Sequence, residues 1–253
     1  MVRDAEDIIG TVVRHMMEQV DHVIVADNLS KDRTRDILDL FRGNITVMDD
    51  PDPAYRQSEK MTHLAMMAKK CGANYVVPFD ADEYWTTREG TLKSVIEEGG
   101  ADVYEGTILN YIPTITDDDL ETDPTKRIRW RFKDSGHLVK VACKTDTRMV
   151  IAMGNHAVRY PHQPSVIQHQ IMVRHFPWRT AQQFVEKMVV GAAALDLTDL
   201  PYDVGQHWRD YARLAEDYGT DALKDIFRTW FYSQDPYKDD KLVYDPVGGV
   251  NAR

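Results

Sequence analysis

The sequence predicts an α/β protein: a mainly parallel sheet flanked by helices, with an antiparallel extension and further helices towards the C-terminal end. Apolar residues recur at helical spacing over residues 5–18 and 58–70. Short apolar runs at residues 23–26 and 74–79 alternate with these helical patterns and stop at polar clusters. Because such strand–helix–strand repetition favours right-handed crossovers, we expect the strands of this half to be parallel.

The first half of the chain is predicted to hold three helices and three strands. Asp4 is the expected N-cap of the first helix, because its short acidic side chain precedes the apolar pattern. Gly72 follows the third helix, and glycine commonly ends helices. The predicted helices are residues 5–18, 33–41 and 58–70, and the predicted strands are residues 23–26, 45–48 and 74–79.

The pattern changes after Gly100, where strands follow one another without helices between them. This is typical of an antiparallel extension of a sheet. Thr180 and Gln183 then fit a capping box that opens a helical region. We therefore predict a first domain over residues 1–179 and a helical extension with a polar, partly disordered tail over residues 180–253. The strands expected here are residues 103–112, 138–143, 149–153 and 166–173, and the later helices are residues 208–216 and 222–232.

Composition restricts the class of protein. The chain has 253 residues and a formal net charge of −10, and nucleic-acid phosphates usually meet a basic face. We therefore expect no duplex nucleic acid as a partner. No apolar run reaches the ~20 residues that span a bilayer, and the opening residues lack the apolar core of a signal peptide. Two distant cysteines, Cys71 and Cys143, are expected to be buried thiols. Together these features predict a cytoplasmic protein without a transmembrane segment.

Asp80 and Asp82 follow the predicted strand 74–79 and belong to an acidic motif, residues 80–83. If extended geometry persists, the two carboxylates point to one side. Hard cations such as Mg²⁺ and Mn²⁺ prefer oxygen ligands and are often shared between carboxylates and substrate phosphates. In an open α/β sheet, ligands bind beyond the carboxyl ends of the strands. Asp80 and Asp82 are therefore the predicted metal ligands.

A second polar cluster begins at Asp27 and Asn28, directly after the predicted strand 23–26. Parallel strands place this cluster and the acidic motif at the same sheet edge. A carboxylate or amide there can hydrogen-bond a base or ribose, while the alternative is a turn that caps the next helix. Lys60, early in the helix 58–70, is a cation that can face a phosphate; an exposed position is its alternative.

Two histidines are candidates to complete the metal site that Asp82 begins, because a neutral imidazole is a common metal ligand. His156 lies in a Gly-Asn-His segment, and His175 lies between a predicted strand and the capped helix. The sequence leaves the choice between them open. Arg179 follows His175 closely and is a candidate phosphate clamp.

These segments together resemble the GT-A glycosyltransferases of family 2, in particular the branch with an Asp-x-Asp-Glu motif. The matching segments are residues 1–9, 23–34 and 79–84 and the late segment 175–187, within roughly residues 1–191. Their order and spacing make the resemblance fairly specific. Leu29 and Lys31 replace the small residues usual in the nucleoside-binding stretch. Almost nothing precedes Arg3, where family members usually have a full first strand; either that strand is shortened or part of it precedes this sequence.

The resemblance implies a GT-A (Rossmann-like) fold, a nucleotide-diphosphate sugar donor, Mn²⁺ or Mg²⁺ as cofactor, and inversion at the anomeric carbon. By position, it implies nucleoside contacts from Asp27 and Asn28, and a metal contact from Asp82. Asp80 would contact the ribose or the metal, and His175 the metal or the diphosphate. The predicted donor-binding set is completed by Arg3, Lys60, Arg179 and Lys187.

An inverting transfer needs a carboxylate that takes the proton of the acceptor hydroxyl. Asp134 is the predicted catalytic base, and the run from Asp117 to Asp119 is its alternative. The acceptor, whether glycan, protein or small molecule, is left open. Two other functions remain as alternatives: a nucleotidyltransferase, which would normally show a glycine- and arginine-rich phosphate loop that is absent here, and a catalytically silent nucleotide-binding or scaffold protein.

Overall fold

A computed structural model describes residues 1–134, 136–231 and 233–248 and divides the chain into two compact units. The first unit comprises residues 1–51, 56–109 and 135–175, and the second comprises residues 52–55, 110–134 and 176–253. The units interleave along the chain, whereas the predicted domains, 1–179 and 180–253, follow one another. The acidic motif and both candidate histidines belong to the first unit.

The predicted helical regions do form helices, and two further helices, Leu92–Gly99 and Pro124–Arg127, were not predicted. Of the predicted capping box only the Thr180 half is confirmed, because the Thr180 hydroxyl accepts a bond from the Gln183 N–H at 3.1 Å. The Gln183 side chain accepts from the Arg179 N–H instead of that of Thr180. The helices are α1 (Ile9–Gln19), α2 (Thr34–Asp39), α3 (Gln57–Lys70), α4 (Leu92–Gly99), α5 (Pro124–Arg127), α6 (Ala181–Asp196), α7 (Gln206–Tyr218) and α8 (Thr220–Trp230).

The strands are shorter in the first half of the chain than in the second. They are β1 (Ile24–Asp27), β2 (Thr46–Asp49), β3 (Tyr75–Val76), β4 (Glu83–Thr87), β5 (Val103–Ile112), β6 (Trp130–Phe132), β7 (Val139–Lys144), β8 (Val150–Ile151), β9 (Val158–Arg159), β10 (Val166–His175) and β11 (Leu242–Tyr244).

The α/β class is confirmed, with sheets and flanking helices. β1 and β2 pair in parallel, as predicted. β7, by contrast, pairs antiparallel with β3 and with β5, and β4 pairs antiparallel with β10. The antiparallel extension is therefore confirmed and includes β3, which was expected to be parallel. β3 is also shorter than the predicted strand 74–79, and Pro78, which has no N–H to donate, stands within the missing part.

The predicted N-cap of the first helix is wrong. α1 begins at Ile9, and Asp4 has a left-handed backbone with φ 47°. The Asp4 Oδ1 accepts a hydrogen bond from the Lys31 N–H at 2.6 Å, so this carboxylate holds the loop after β1. The Glu6 side chain accepts from the Arg33 N–H at 2.8 Å in the same way. The acidic start of the sequence thus fixes the polar loop 28–33.

The core of the first unit joins β1, α3, β7 and β8 through buried apolar side chains. α3 contributes Met61, Leu64 and Ala65, and β7 contributes Cys143. Burial raises the pKa of the Cys143 thiol to about 12, so it stays protonated. Cys71, which was expected to be buried, is exposed just after α3.

The second unit has its own apolar core, built mainly from helices α6, α7 and α8. Phe184 and Met188 on α6 pack with Leu223 and Phe227 on α8. Within the predicted polar tail, Leu242–Tyr244 forms β11 and pairs antiparallel with β6; the prediction for residues 249–253 lies outside the described residues. Across the described part of the chain, no helix combines the length and apolarity needed to cross a membrane.

Candidate functional site

The structure brings His175 and Asp82 together, as one of the two alternatives from sequence predicts. β10 ends at His175, and its antiparallel register places His175 opposite Glu83 at the start of β4. The His175 Nε2 lies 3.7 Å from the Asp82 Oδ1. Asp82 is only 8% exposed, so the surrounding structure largely covers it. Because Asp82 directly precedes β4, the ladder between β4 and β10 places the Asp82 carboxylate near the His175 imidazole.

Asp80 is held by three side chains. Its Oδ1 accepts from the Gln57 Nε2 at 3.0 Å and from the Asn155 Nδ2 at 3.2 Å. Its Oδ2 accepts from the Lys140 Nζ at 2.7 Å. Burial acts to raise the pKa of Asp80, but Lys140 outweighs burial and lowers it. Asp80 is therefore a half-buried carboxylate that stays ionised.

Glu83 completes this cluster and is fully buried. Its Oε1 lies 2.5 Å from the Lys140 Nζ, and its Oε2 accepts from the Trp85 Nε1 and from the Asp80 N–H, each at 3.1 Å. Burial, together with the neighbouring charge of Asp80, raises the pKa of Glu83 to about 8. For Lys140, burial acts to lower the pKa, but Asp80 and Glu83 together raise it well above its usual range. The ammonium therefore keeps its charge inside the protein.

A second polar cluster forms around Asp27 and Asn28 at the end of β1. The Asp27 Oδ1 accepts from the Ser30 N–H at 3.2 Å, which supports the predicted turn. The Asn28 Nδ2 donates to the Asp50 Oδ2 at 3.0 Å, and the Lys60 Nζ lies 2.8 Å from that same oxygen. Asn28 and Lys60 thus meet through Asp50, which follows β2.

The first turn of α3 connects the two clusters. Gln57 reaches Asp80, while Lys60 reaches Asp50 and through it Asn28. The prediction that both polar clusters lie at the same edge of one parallel sheet is wrong, because β1 and β2 form a sheet of their own, whereas β3 and β4 belong to another. The helix supplies the connection that a fully parallel sheet was expected to supply.

Arg3 and His156 also lie in the first unit. Val2 pairs with Asp27 through an isolated parallel bridge, which places Arg3 next to the end of β1. The Arg3 Nε is buried, has no hydrogen-bond partner among the described residues and lies 3.7 Å from the Asp4 carboxylate. The His156 Nδ1 lies 2.7 Å from the Val139 carbonyl oxygen, so one ring nitrogen is used by the backbone of β7.

Arg179 and Lys187 belong to the second unit and both bind the backbone at residues 176–177. The Arg179 Nη1 donates to the Phe176 carbonyl at 3.1 Å, and the Lys187 Nζ donates to the Pro177 carbonyl at 3.3 Å. Arg179 is 3% exposed. These two cations stabilise the segment that directly follows His175, and their predicted phosphate contacts remain predictions.

Asp134 and Asp117, the alternatives for the catalytic base, are also residues of the second unit. Asp134 is exposed. Asp117 is half-buried: its Oδ1 accepts from the Thr114 hydroxyl at 3.0 Å, and its buried Oδ2 has no hydrogen-bond partner within the described residues. Burial raises the pKa of Asp117 to about 6. Their roles in catalysis remain predictions.

The raised pKa of Asp117 predicts a pH dependence of stability. Because the folded pKa lies above the unfolded one, Asp117 contributes fully below pH ~4, and its contribution is lost as pH rises through ~6. Asp117→Asn removes this titration. Between pH 4 and pH 7, the free energy of unfolding of the wild type should therefore fall by about 1–2 kcal/mol more than that of the variant. Urea denaturation at both pH values measures the difference. Asp199→Asn, at an exposed position, is the control, and a profile like that of the wild type for Asp117→Asn would contradict the prediction.

Four residues of the two clusters were not predicted from sequence: Asp50, Gln57, Lys140 and Asn155. Lys140 had a usable signal, because a lysine inside an apolar strand pattern requires buried counterions. Asp50 follows a strand, as Asp27 does, and fits the same rule. Gln57 and Asn155 had no comparable signal, since amides at helix starts and in turns are common. Asn155 is fully buried and has a left-handed backbone with φ 56°.

Asp82 and His175 are the residues that decide whether the predicted metal ion fits this site. No group of three or more histidine, cysteine, aspartate or glutamate side chains is gathered to hold a metal ion in the described part of the chain. The His175 Nε2 and the Asp82 Oδ1, 3.7 Å apart, are one nitrogen and one oxygen donor of the kinds that bind divalent ions. A carboxylate suits Mg²⁺ or Mn²⁺, which often takes one or two protein carboxylates and completes its shell from substrate phosphates and water. The pair therefore fits an ion shared with a substrate.

A separate cavity of about 520 Å³ lies beside this region within the first unit. Its lining is mostly apolar and includes Met16, Ile24, Met61 and Tyr75, whereas neither aspartate of the acidic motif lines it. The acidic motif and His175 therefore lie outside the lining of this cavity.

The α/β fold, with an acidic motif ahead of a sheet strand, agrees with the resemblance of the sequence to GT-A glycosyltransferases. The family model of glycosyl transferase family 2 matches residues 2–151. The chain belongs to glycosyl transferase family 2.

Among solved structures, the chain is similar to residues 1–349 of TarS from S. aureus, determined in complex with UDP-GlcNAc. The two share 14% identity, with 90% of this chain and 72% of that chain covered and a TM-score of 0.39. For the TarS complex with UDP, the identity is 13%, the coverage 85% and 69%, and the TM-score 0.37. HddC from Yersinia pseudotuberculosis shares 14% identity over 63% of this chain and 74% of its own, with a TM-score of 0.32. No curated protein matches the chain in sequence.

Proposed function

We propose that this glycosyltransferase is metal-dependent and inverting, and that it moves a sugar from a nucleotide-diphosphate donor to an acceptor hydroxyl. The observation that carries the proposal is the pairing of His175 with Asp82 at 3.7 Å, at the end of the β4–β10 ladder. Asp82 and His175 would hold Mn²⁺ or Mg²⁺. The bound ion supplies charge neutralisation at the diphosphate that leaves the sugar.

The cluster at the end of β1 is proposed to bind the nucleoside. Asn28 and Asp50 are already in contact, and Asp27 is 8% exposed, so the polar groups are ordered before a ligand arrives. Preordered polar groups reduce the entropy cost of binding. Lys60 would contribute a positive charge at the edge of this cluster. We further propose that Arg3, Arg179 and Lys187 serve the phosphates of the donor.

In the proposed transfer, a bond forms between the acceptor oxygen and the anomeric carbon while the bond from that carbon to the diphosphate oxygen breaks. The electron pair of the broken bond stays on the diphosphate. The acceptor oxygen attacks the anomeric carbon from the face opposite the leaving diphosphate, which gives inversion, and its proton passes to a carboxylate. Asp134 is the proposed base.

Release of nucleoside diphosphate from a panel of nucleotide-sugars tests this function. We expect turnover or slow hydrolysis with one donor in the presence of Mn²⁺, and its loss with EDTA. The anomeric configuration of the product, determined by NMR, tests inversion. Metal-independent turnover would overturn metal dependence, and donor binding without any turnover would favour the catalytically silent alternative. Formation of a nucleotide-sugar from a nucleoside triphosphate would identify a nucleotidyltransferase.

A further inference from the structure

Lys140 is a buried charge that the proposed chemistry does not use. It is the second residue of β7, is 5% exposed, and reaches two carboxylates of the acidic motif, with Nζ 2.7 Å from the Asp80 Oδ2 and 2.5 Å from the Glu83 Oε1. Removing an ammonium from water is costly unless it is paired and hydrogen-bonded. A lysine in this position therefore indicates that the ion cluster has a task that an apolar residue would not perform.

The Asp80 carboxylate is committed to the protein on both oxygens. Its Oδ1 accepts two amide N–H groups, from Gln57 and Asn155, and its Oδ2 accepts the ammonium. The Gln57 Oε1 in turn accepts the Gly154 N–H at 2.7 Å, so the loop that carries Asn155 is bonded to α3 as well. Asp80 thus lies at the centre of a closed network drawn from α3, β7 and the loop after β8.

Glu83 fixes the other end of the motif. Its carboxylate receives the Asp80 N–H and the Trp85 indole N–H, and its own N–H donates to the Asp80 carbonyl at 3.1 Å. The turn from residue 80 to residue 83 is consequently held at both ends by ion pairs with one buried lysine. Asp82 lies between the two anchored residues.

We propose that Lys140 is a positioning residue, which neutralises Asp80 and Glu83 and so fixes the turn that presents Asp82 to His175. Asp80 then supports Asp82 and is not itself a metal ligand. This inference rests on the proposed metal-dependent function. Without the ammonium, the turn would lose the ion pairs that join Asp80 and Glu83 to β7. The turn would open and carry Asp82 away from the imidazole.

The rival explanation is that Lys140 occupies the place of the cation and competes with it for Asp80. The two explanations predict opposite effects of removing the lysine. A positioning lysine makes metal binding weaker when it is lost, whereas a competing lysine makes metal binding tighter. The Mn²⁺ affinity therefore separates them without any measurement of activity.

The test measures Mn²⁺ binding to the full chain in the presence of UDP, by the loss of the free Mn²⁺ EPR signal. We expect Lys140→Met to weaken Mn²⁺ binding at least tenfold, and Lys70→Met, at an exposed position, to leave it unchanged. The double variant Asp80→Asn with Lys140→Met removes one charge of each sign and is the second test if the single variant does not fold. We expect it to bind Mn²⁺ at least as tightly as the weaker of its two single variants, and more tightly than Asp82→Asn.

Unchanged or tighter Mn²⁺ binding by Lys140→Met would overturn the inference. A double variant that binds Mn²⁺ as tightly as the wild type would also overturn it, because the turn would then present Asp82 without the ammonium. If the wild type shows no Mn²⁺ binding with any nucleoside diphosphate, the proposed function fails and this inference fails with it. Wild-type binding that is insensitive to Lys140 overturns the inference alone.

Discussion

Asp82→Asn should reduce glycosyl transfer at least about 100-fold, because stabilisation of a developing charge at the leaving group contributes several kcal/mol to catalysis. The substitution keeps the size of the side chain and removes its negative charge. Mn²⁺-dependent donor affinity should be lost together with turnover. The thermal stability should change little, because Asp82 is not one of the carboxylates that pair with Lys140. Initial rates across a range of Mn²⁺ concentrations measure the effect.

The matched control for this variant is Glu98→Gln, which removes one negative charge from an exposed position on α4. It should retain wild-type rates and wild-type dependence on Mn²⁺. Asp82→Asn with the same Mn²⁺ dependence as Glu98→Gln would contradict a metal-binding role for Asp82. A rate loss that is fully restored by higher donor concentration, with no change in Mn²⁺ dependence, would assign Asp82 to donor binding instead.

Lys140→Met should lower the free energy of unfolding by about 3–5 kcal/mol at pH 8, since removal of one partner leaves the buried Glu83 and the half-buried Asp80 without their counterion. The loss should become smaller as pH falls. The pKa of Glu83 is already raised to about 8, and an acid whose folded pKa is raised contributes stability that is lost as pH rises through that value. In the variant, Asp80 and Glu83 both follow this rule, so protonation at lower pH relieves the repulsion. Urea denaturation from pH 5 to pH 8 measures the change.

Lys70→Met is the control for the stability measurement as well, because it removes the same charge from an exposed position at the end of α3. A loss at pH 8 no greater than that of the control would contradict the account of the buried cluster. A loss that grows towards low pH would also contradict it, since protonated carboxyl groups do not need the ammonium.

Much of the fold was predictable because the spacing of apolar residues reflects which face of a helix or strand is buried. Helix α3 was predicted within one residue of its start, and β1, β2 and β10 were placed close to their positions. The strand directions were less accessible, because an apolar run such as residues 74–79 does not reveal its partner. β3 pairs antiparallel with β7, whose residues lie far along the chain. Only the tertiary structure determines such a pairing.

Polar residues at the ends of predicted strands were the candidates for the site, although in the structure Asp82 precedes β4 and does not directly follow β3. Asp82 and His175 were selected on that basis, and the structure places them 3.7 Å apart. The network around Asp80 was not predicted, because it depends on three elements that meet only in the folded chain. A lysine within an apolar strand was the visible sign of it. A lysine within an apolar strand therefore predicts a counterion close to it.

The most direct test of the account is pulsed EPR on Mn²⁺ bound to the protein together with a nucleoside diphosphate. An imidazole ligand produces nitrogen modulation of the Mn²⁺ signal, and we expect this modulation in the wild type and in His156→Phe. It should disappear in His175→Phe. Absence of the modulation in the wild type, or its persistence in His175→Phe, would contradict the claim that Asp82 and His175 together hold the metal.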